Sequence, residues 1–344
     1  MIIYDQQEQH PLLDYGIQIP VHPGKRQRTF EFLRDHPALG PQIDRWLVAA
    51  QVTPASREDL LRVHSRNYVE RLTSAGVDQE IIRVYELIDA EGKFHRYDPV
   101  SATRPLSELF QSSLRNAGGT TLACRVAVQT GFAFFFGGGA HHAKRDYGEG
   151  FCVVNDLVIA ARAMMADSAR TGVRQIWVID VDVHKGDGTA ELTEHDPAIT
   201  TLSIHMGRGW PLDGEEFRPD GERNRSFIPS DIDIPIFENE ESRYNPLLEA
   251  GLYRLSKEYP RADLAIVVCG SDPYEKDELP SSSLIRLTRE QLLERDLMVY
   301  RFLMDLGIPA AYVMAGGYGR SSWEIYTQFL EKILSQRLGL SPKS

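Results

Sequence analysis

The chain has 344 residues, of which 38 are Lys or Arg and 49 are Asp or Glu, so its formal net charge is −11 with neutral histidines. This negative balance argues against direct binding of nucleic acid, which is recognised through basic surfaces. Hydrophobic residues make up 42% and charged residues 25% of the chain. These proportions are typical of globular proteins with a sizeable core, and they exclude a disordered or fibrous chain.

Three cysteines, Cys124, Cys152 and Cys269, are widely separated and form no CxxC pair. Their spacing disfavours a disulfide scaffold and a thiolate zinc site, and it is typical of a reducing compartment. No apolar run approaches the roughly 18 residues of a membrane helix, and the N-terminus lacks the pattern of a signal peptide. We therefore predict a cytoplasmic protein that does not bind membranes.

Short apolar runs alternate with helical patterns along the chain. The runs predicted to form strands are residues 132–136, 176–179, 264–268 and 310–314. Helices are predicted over 157–165 after the cap Asn155, over 292–304 after the capping pair Thr288 and Gln291, and over 325–334 after the pair Ser321 and Glu324. Continuous apolar strands are buried on both faces, so the alternation predicts βαβ units and an α/β fold with a mostly parallel sheet between helices.

The organisation of the chain indicates one domain. No internal repeat, low-complexity segment or linker divides it, so we expect residues 1–344 to form a single unit. The stretches 207–226 and 274–283 are rich in Gly, Pro and charged residues. We predict surface loops there, at the rim of a site.

Polar clusters follow four of the predicted strands. They read Phe134-Phe-Phe-Gly-Gly-Gly-Ala-His-His142, Ile179-Asp-Val-Asp-Val-His184, Val268-Cys-Gly-Ser-Asp272 and Met314-Ala-Gly-Gly-Tyr318. The carboxyl ends of parallel strands lie at one edge of a sheet, and ligands bind in the crevice outside that edge. We therefore expect these four clusters to meet in space.

The Asp-x-Asp-x-His run is a candidate metal site. Side chains alternate along a strand, so Asp180, Asp182 and His184 are expected to project to the same side. Asp182 and His184, nearest the strand end, and Asp272 from another strand are the predicted ligands, whereas Asp180 lies deeper. Two carboxylates and one imidazole leave an open position for water or a carbonyl, as in catalytic zinc sites. Without a thiolate, Fe(II), Co(II) and Mn(II) are alternatives to Zn(II).

The adjacent histidines His141 and His142 are predicted to transfer protons, because consecutive residues rarely bind one ion. Asp180 and Asp187 are available as carboxylate partners that fix the tautomer of each ring. Tyr318 follows two glycines, and its hydroxyl is placed to donate to an oxyanion opposite the metal. Together these residue types predict hydrolysis of an amide.

At these positions the chain resembles the histone deacetylase superfamily, the zinc-dependent deacylases of the arginase–deacetylase fold. The motifs are Gly137-Gly-Gly-Ala-His-His-Ala143, Gly150-Phe-Cys-Val-Val-Asn-Asp156, Asp180-Val-Asp-Val-His-Lys-Gly-Asp-Gly-Thr189, Gly270-Ser-Asp272 and Gly316-Gly-Tyr318. The weaker matches His22-Pro23, His64-Ser-Arg-Asn-Tyr68 and Gly118-Gly-Thr120 extend the resemblance from about residue 20 to about residue 335. Arg295-Asp-Leu-Met-Val and Ile308-Pro309 look closest to bacterial and class IV-like members.

The resemblance implies a single catalytic domain with a three-layer α/β/α architecture. It implies that Asp182, His184 and Asp272 bind the metal, Zn²⁺ or in its place Fe²⁺ or Co²⁺. It also implies that His142 is the general base and acid, with His141 assisting electrostatically. By the same resemblance Tyr318 polarises the acyl carbonyl, and Asp180 and Asp187 are the partners of the two histidines.

The resemblance also implies a substrate channel and a second ion. Gly150 and Phe151 match one wall of the channel that holds the acyl-lysine stem, where apolar surfaces suit a methylene chain. Trp210 takes the place of the usual aromatic residue on the opposite wall. Family members carry a structural K⁺ bound largely by backbone carbonyls, and the matching positions are Asp180, Asp182, His184 and Ser203.

The expected activity is removal of an acetyl or other acyl group from an amine, with acetyl-lysine as the leading substrate. Acetylated polyamines or another small acylamide are the alternative, and a catalytically silent acyl-lysine binding protein is a second one. A ureohydrolase on the same fold is disfavoured, because the further Asp-rich motif of a binuclear manganese centre is missing. The natural substrate, the acyl length, the metal, the oligomeric state and the role of residues 207–226 stay open.

Overall fold

The apolar runs form a parallel sheet in the computed structural model, which describes residues 1–5, 10–19, 21–89 and 91–340. Within these residues the strands are β1 (Ile2–Ile3), β2 (Phe132–Phe135), β3 (Ile176–Asp180), β4 (Ile199–Met206), β5 (Ile232–Ile236), β6 (Leu264–Cys269) and β7 (Ala310–Met314). Their order is β1-β2-β7-β6-β3-β4-β5, and every neighbouring pair is parallel. The predicted α/β fold with a parallel sheet is confirmed.

Helices connect the strands of the described chain. They are α1 (Lys25–Asp35), α2 (Ile43–Trp46), α3 (Arg57–Leu61), α4 (Arg66–Leu72), α5 (Val77–Val84), α6 (Ser107–Thr130), α7 (Asp156–Ala166), α8 (Ser168–Thr171), α9 (Asp187–Thr193), α10 (Tyr244–Glu258), α11 (Arg289–Asp305) and α12 (Ser322–Leu338). Across the described ranges, the structure contains no helix with the length and apolar character needed to cross a membrane.

The sheet is covered by helices on both faces. Phe132 and Phe134 of β2 pack into a core with α1, α2, α10, α11 and α12, whereas Ala133 and Phe135 pack into a second core with α3 to α7. This division follows from the alternation of side chains along a strand. It explains why β2, β6 and β7 are apolar at every position, as the sequence predicted for these runs.

Two of the three predicted helix caps are confirmed. Asn155 Oδ1 accepts a 3.0 Å hydrogen bond from the Val158 N–H at the start of α7, and Thr288 and Gln291 form a capping box before α11. The prediction that Ser321 and Glu324 form a capping box was wrong. Ser321 has φ −98° and ψ 0°, not the extended backbone that directs a capping hydroxyl, and its side chain caps nothing.

The topology places the predicted site. The four strands that precede the polar clusters, β2, β7, β6 and β3, are consecutive neighbours in the sheet. Their carboxyl ends therefore meet at one stretch of the sheet edge. The segment 274–283 reaches this edge, but it is not wholly a surface loop as predicted, because Tyr274 and Ser282 are buried.

Candidate active site

The three predicted metal ligands lie together just after the carboxyl ends of β3 and β6. His184 Nδ1 is 3.3 Å from Asp182 Oδ1 and 3.4 Å from Asp272 Oδ2, and all three side chains are buried. Ligand atoms of the three residues lie within 4.8 Å of one another. The strand β3 ends at Asp180, so Asp182 and His184 lie in the bend that follows it and not in the strand itself.

The cluster has the chemistry of a metal site. Asp272 Oδ2 is buried and has no hydrogen-bond partner among the described residues. Burial and the neighbouring Asp182 carboxylate raise the pKa of Asp272 to about 7, as expected for a buried carboxylate that is close to a second one. A divalent cation offsets this repulsion, so the Asp-His-Asp set fits a metal ion with an open coordination position.

His141 and His142 contact different carboxylates. His141 Nδ1 is 2.6 Å from Asp180 Oδ2, and His142 Nδ1 is 2.7 Å from Asp187 Oδ1. The imidazole rings are adjacent, with centroids 4.0 Å apart. All four side chains are buried, and each carboxylate accepts from the Nδ1 side of its ring, which leaves Nε2 available for chemistry.

The two histidines differ in proton affinity. Burial lowers the pKa of His142 to about 3, and the neighbouring His141 acts in the same direction. Burial also opposes protonation of His141, but the Asp180 and Asp182 carboxylates outweigh it and raise the pKa of His141 to about 10. At neutral pH this environment favours a cationic His141 beside a neutral His142.

Tyr318 lies in the loop after β7. Its backbone N–H donates a 2.8 Å hydrogen bond to Asp277 Oδ2, and its ring packs edge-on against Phe151 with centroids 6.4 Å apart. Burial, together with the Asp272 and Asp182 carboxylates, raises the pKa of Tyr318 well above its ordinary value. The hydroxyl therefore stays protonated and can act as a hydrogen-bond donor.

Two of the predicted channel residues, Trp210 and Gly150, lie beside His142. Trp210 packs edge-on against the His142 ring at 4.4 Å and the His184 ring at 5.6 Å between centroids. A Cβ atom on Gly150 would lie 2.2 Å from the Trp210 ring, so only glycine permits this approach. A cavity of about 340 Å³ is lined in part by Gly150, Phe151 and Tyr318. Its lining does not include Trp210, His141, His142 or the three predicted metal ligands.

Some residues of the site were missed by the sequence analysis. Lys144, directly after the His-His-Ala motif, contacts Asp187 with its ammonium group, and Asp277 holds the backbone of Tyr318. Buried Arg295 donates a 3.0 Å hydrogen bond to the carbonyl of Val181. A charged residue next to a catalytic motif is a weak signal for Lys144, whereas the contacts of Asp277 and Arg295 depend on tertiary structure.

The K⁺ prediction stays a prediction. Asp180 of β3 pairs in register with Ser203 of β4, and the Ser203 hydroxyl accepts a 3.5 Å hydrogen bond from the Gly186 N–H. These contacts bring the predicted positions together without identifying an ion.

Comparison with known proteins gives a family match over most of the chain. The family model described as the histone deacetylase domain matches residues 19–333. An uncharacterized protein of Picosynechococcus sp. is 32% identical over 212 residues, which cover 61% of this chain and 64% of that protein. Histone deacetylase 2 of Arabidopsis thaliana is 26% identical over 284 residues, covering 83% of this chain and 67% of that protein.

A third relative is bacterial and is matched over a longer region. The acetoin utilization protein AcuC of Staphylococcus aureus is 25% identical over 321 residues, covering 91% of this chain and 76% of that protein. The chain thus spans about two thirds of the length of several curated relatives that it matches. All the motifs identified above lie within residues 19–333, including every member of the metal and histidine clusters.

Proposed function

Because the chain belongs to the histone deacetylase family, we propose that it is a metal-dependent hydrolase that removes an acetyl group from the side chain of acetyl-lysine. The observation that carries the proposal is the buried Asp182–His184–Asp272 cluster adjoining a neutral His142. A hydrolase of linear amides needs a Lewis acid, a base for water and a donor for the oxyanion. This chain offers three candidate ligands for a metal ion as the Lewis acid, His142 as the base and Tyr318 as the donor.

The metal ion would be held by Asp182, His184 and Asp272. Zn²⁺ is the leading candidate, and Fe²⁺ and Co²⁺ are the alternatives. When bound, the ion would supply polarisation of the acyl carbonyl and activation of water. Buried carboxylates and an imidazole without thiolates suit any of these ions. A structural K⁺ near Asp180 and Ser203 belongs to the same proposal.

The protein side chains would move the protons. His142 accepts a proton from the attacking water, because its ring is neutral and Asp187 holds its Nδ1–H. The same imidazole then donates that proton to the leaving amine. His141, paired with Asp180, contributes positive charge beside the reacting carbonyl. The protonated hydroxyl of Tyr318 donates to the oxygen on which negative charge develops.

The channel residues would select the substrate. Trp210 presents aromatic surface beside His142, Phe151 packs against Tyr318, and Gly150 lets the chain approach Trp210 closely. Aromatic walls suit the methylene stem of an acylated lysine. We place this activity in one domain over residues 1–344, in the cytoplasm, with no nucleic-acid or membrane partner.

The test is acetate release by Zn-reconstituted protein from an acetyl-lysine peptide and, in parallel, from acetylated polyamines. Release from the peptide that Tyr318→Phe greatly reduces is the expected result. Release only from polyamines would overturn acetyl-lysine as the substrate and leave a small-molecule amidohydrolase. No release from either with zinc bound would contradict the deacetylase and favour a silent acyl-lysine binding protein.

A further inference from the structure

Lys144 is a fully buried cation beside the two catalytic histidines. Its exposed fraction is 0%, and its ammonium lies 2.5 Å from Asp187 Oδ2 and also contacts the Glu149 carboxylate. A buried ion pair contributes little to stability compared with well-packed apolar side chains, since both charges lose their hydration. Stability alone therefore does not explain why a lysine is buried at this position.

The two histidine–carboxylate pairs differ in whether a lysine contacts the carboxylate. Both oxygens of Asp187 are occupied, Oδ1 by His142 Nδ1 and Oδ2 by Lys144. Asp180 accepts instead from the His141 ring and from the backbone N–H of Asp182. Across the described chain, no ion pair joins Asp180 to a lysine or an arginine. Of the two carboxylates, only Asp187, the partner of the proposed base, is also held by a lysine.

Lys144 also joins this pair to the channel wall. Glu149 directly precedes Gly150 and Phe151, whose φ values of 56° and 65° are left-handed. Such a conformation costs free energy for Phe151 and has to be held by surrounding contacts. The backbone of Lys144 is itself fixed, because its N–H donates to the Tyr147 carbonyl over 2.9 Å. The Lys144 ammonium thus contacts both Asp187, the partner of His142, and Glu149, which directly precedes the channel wall.

We propose that Lys144 is a positioning residue, which fixes Asp187 so that His142 keeps its reactive orientation and which ties this pair to the channel wall through Glu149. The inference rests on the proposed function. Without the ammonium, Asp187 Oδ2 is buried and unpaired, so the carboxylate rotates and His142 loses a fixed partner. Proton transfer requires hydrogen-bond reach in the reacting complex, and turnover falls accordingly.

The kinetic experiment compares Lys144→Met with Lys185→Met in zinc-loaded protein. Lys185 is a matched control, because it is also buried but pairs with Asp233, outside both histidine pairs. We expect Lys144→Met to lower kcat by about 10- to 100-fold, the range typical of losing a partner that orients a metal-ligating side chain. Lys185→Met lowers kcat less than Lys144→Met does, and Lys144→Arg, which retains the cation, recovers part of the kcat lost in Lys144→Met. Glu149→Gln raises KM more than it lowers kcat.

A second readout does not depend on activity. Nitrogen-15 NMR of histidine-labelled, zinc-loaded protein reports which nitrogen of His142 carries a proton, with His142→Gln for assignment. We expect an Nδ1-protonated His142 in wild type and in Lys185→Met, and a changed signal in Lys144→Met. If wild type hydrolyses no acylamine, the proposed function fails while this comparison still tests Lys144.

An unchanged His142 signal in Lys144→Met would overturn the inference, as would a loss of kcat no larger than that of Lys185→Met. If Lys144→Met does not fold, Lys144→Gln takes its place with the same criteria, because it keeps a donor but removes the charge.

Discussion

The backbone N–H of Gly316 donates a 2.9 Å hydrogen bond to Asp182 Oδ2, which holds the loop after β7 against the carboxylates behind β3 and β6. A Cβ atom on Gly316 would lie 2.1 Å from Asp272 Oδ2 and 2.5 Å from Asp182 Oδ2. Only a glycine permits the backbone to approach both carboxylates so closely. This residue therefore helps to define the shape of the ligand cluster.

Gly316→Ala is expected to displace both carboxylates and weaken zinc binding by at least about 10-fold, as for other residues that orient metal ligands. Competition titration with a chromophoric chelator measures the affinity. Gly76→Ala is the control, because a Cβ atom there would meet its nearest neighbour at an ordinary 3.4 Å. Wild-type zinc affinity in Gly316→Ala would contradict the packing argument.

Asp272→Ala is expected to remove zinc and acetate release together, since one of three protein ligands is lost. Zinc content after dialysis is measured by elemental analysis, and circular dichroism checks the fold. The exposed Asp305 at the end of α11 provides the control Asp305→Ala. Full zinc occupancy in Asp272→Ala would show that the ligand assignment is wrong.

The fold could be predicted where strands are continuously apolar and short. The run 310–314 matches β7 at both ends. The sequence analysis missed β4, whose polar Thr200, Thr201 and Ser203 are buried, and β5, which contains Pro235. Proline in a strand argues against a central position, and β5 is in fact an edge strand.

The site residues could be proposed because strand ends converge in a parallel sheet. Which histidine contacts which carboxylate could not be read from spacing, because the pairing depends on the path of the chain after β3. The contact between Lys144 and Asp187 joins residues 43 positions apart. Such contacts arise from tertiary packing, which a local pattern does not encode.

Tyr318→Phe is expected to keep zinc and lower kcat by about 10²- to 10³-fold, the usual cost of losing one oxyanion donor. Because the change removes only a hydroxyl, KM for the acetyl-lysine peptide should change much less. A coupled acetate assay measures both constants. Tyr253→Phe is the control on an exposed tyrosine, and near-normal kcat in Tyr318→Phe would exclude its hydroxyl from the reaction.

His64 makes stability depend on pH. Its Nδ1 is 2.9 Å from the Lys144 carbonyl, and its Nε2 accepts a 3.1 Å hydrogen bond from the Asn155 N–H. A neutral ring protonated at Nδ1 satisfies both contacts, whereas a second proton at Nε2 would face a donor. Burial accordingly lowers the pKa of His64 from 6.5 to about 4.

The unfolded chain takes up this proton as the pH falls through 6.5, whereas the folded chain does so only near 4. His64 therefore has no effect on stability above about pH 7, and it lowers the free energy of unfolding as the pH falls from 6.5 towards 4, by about 2 kcal/mol at pH 5.

Urea unfolding at pH 7.5 and pH 5 measures this difference. In His64→Gln the amide can accept from Asn155 and donate to Lys144 without titrating, so the pH-dependent loss should shrink by that amount. His195→Gln, at a side chain that is 88% exposed, should retain it. An equal loss in His64→Gln and wild type would mean that another group takes up the proton.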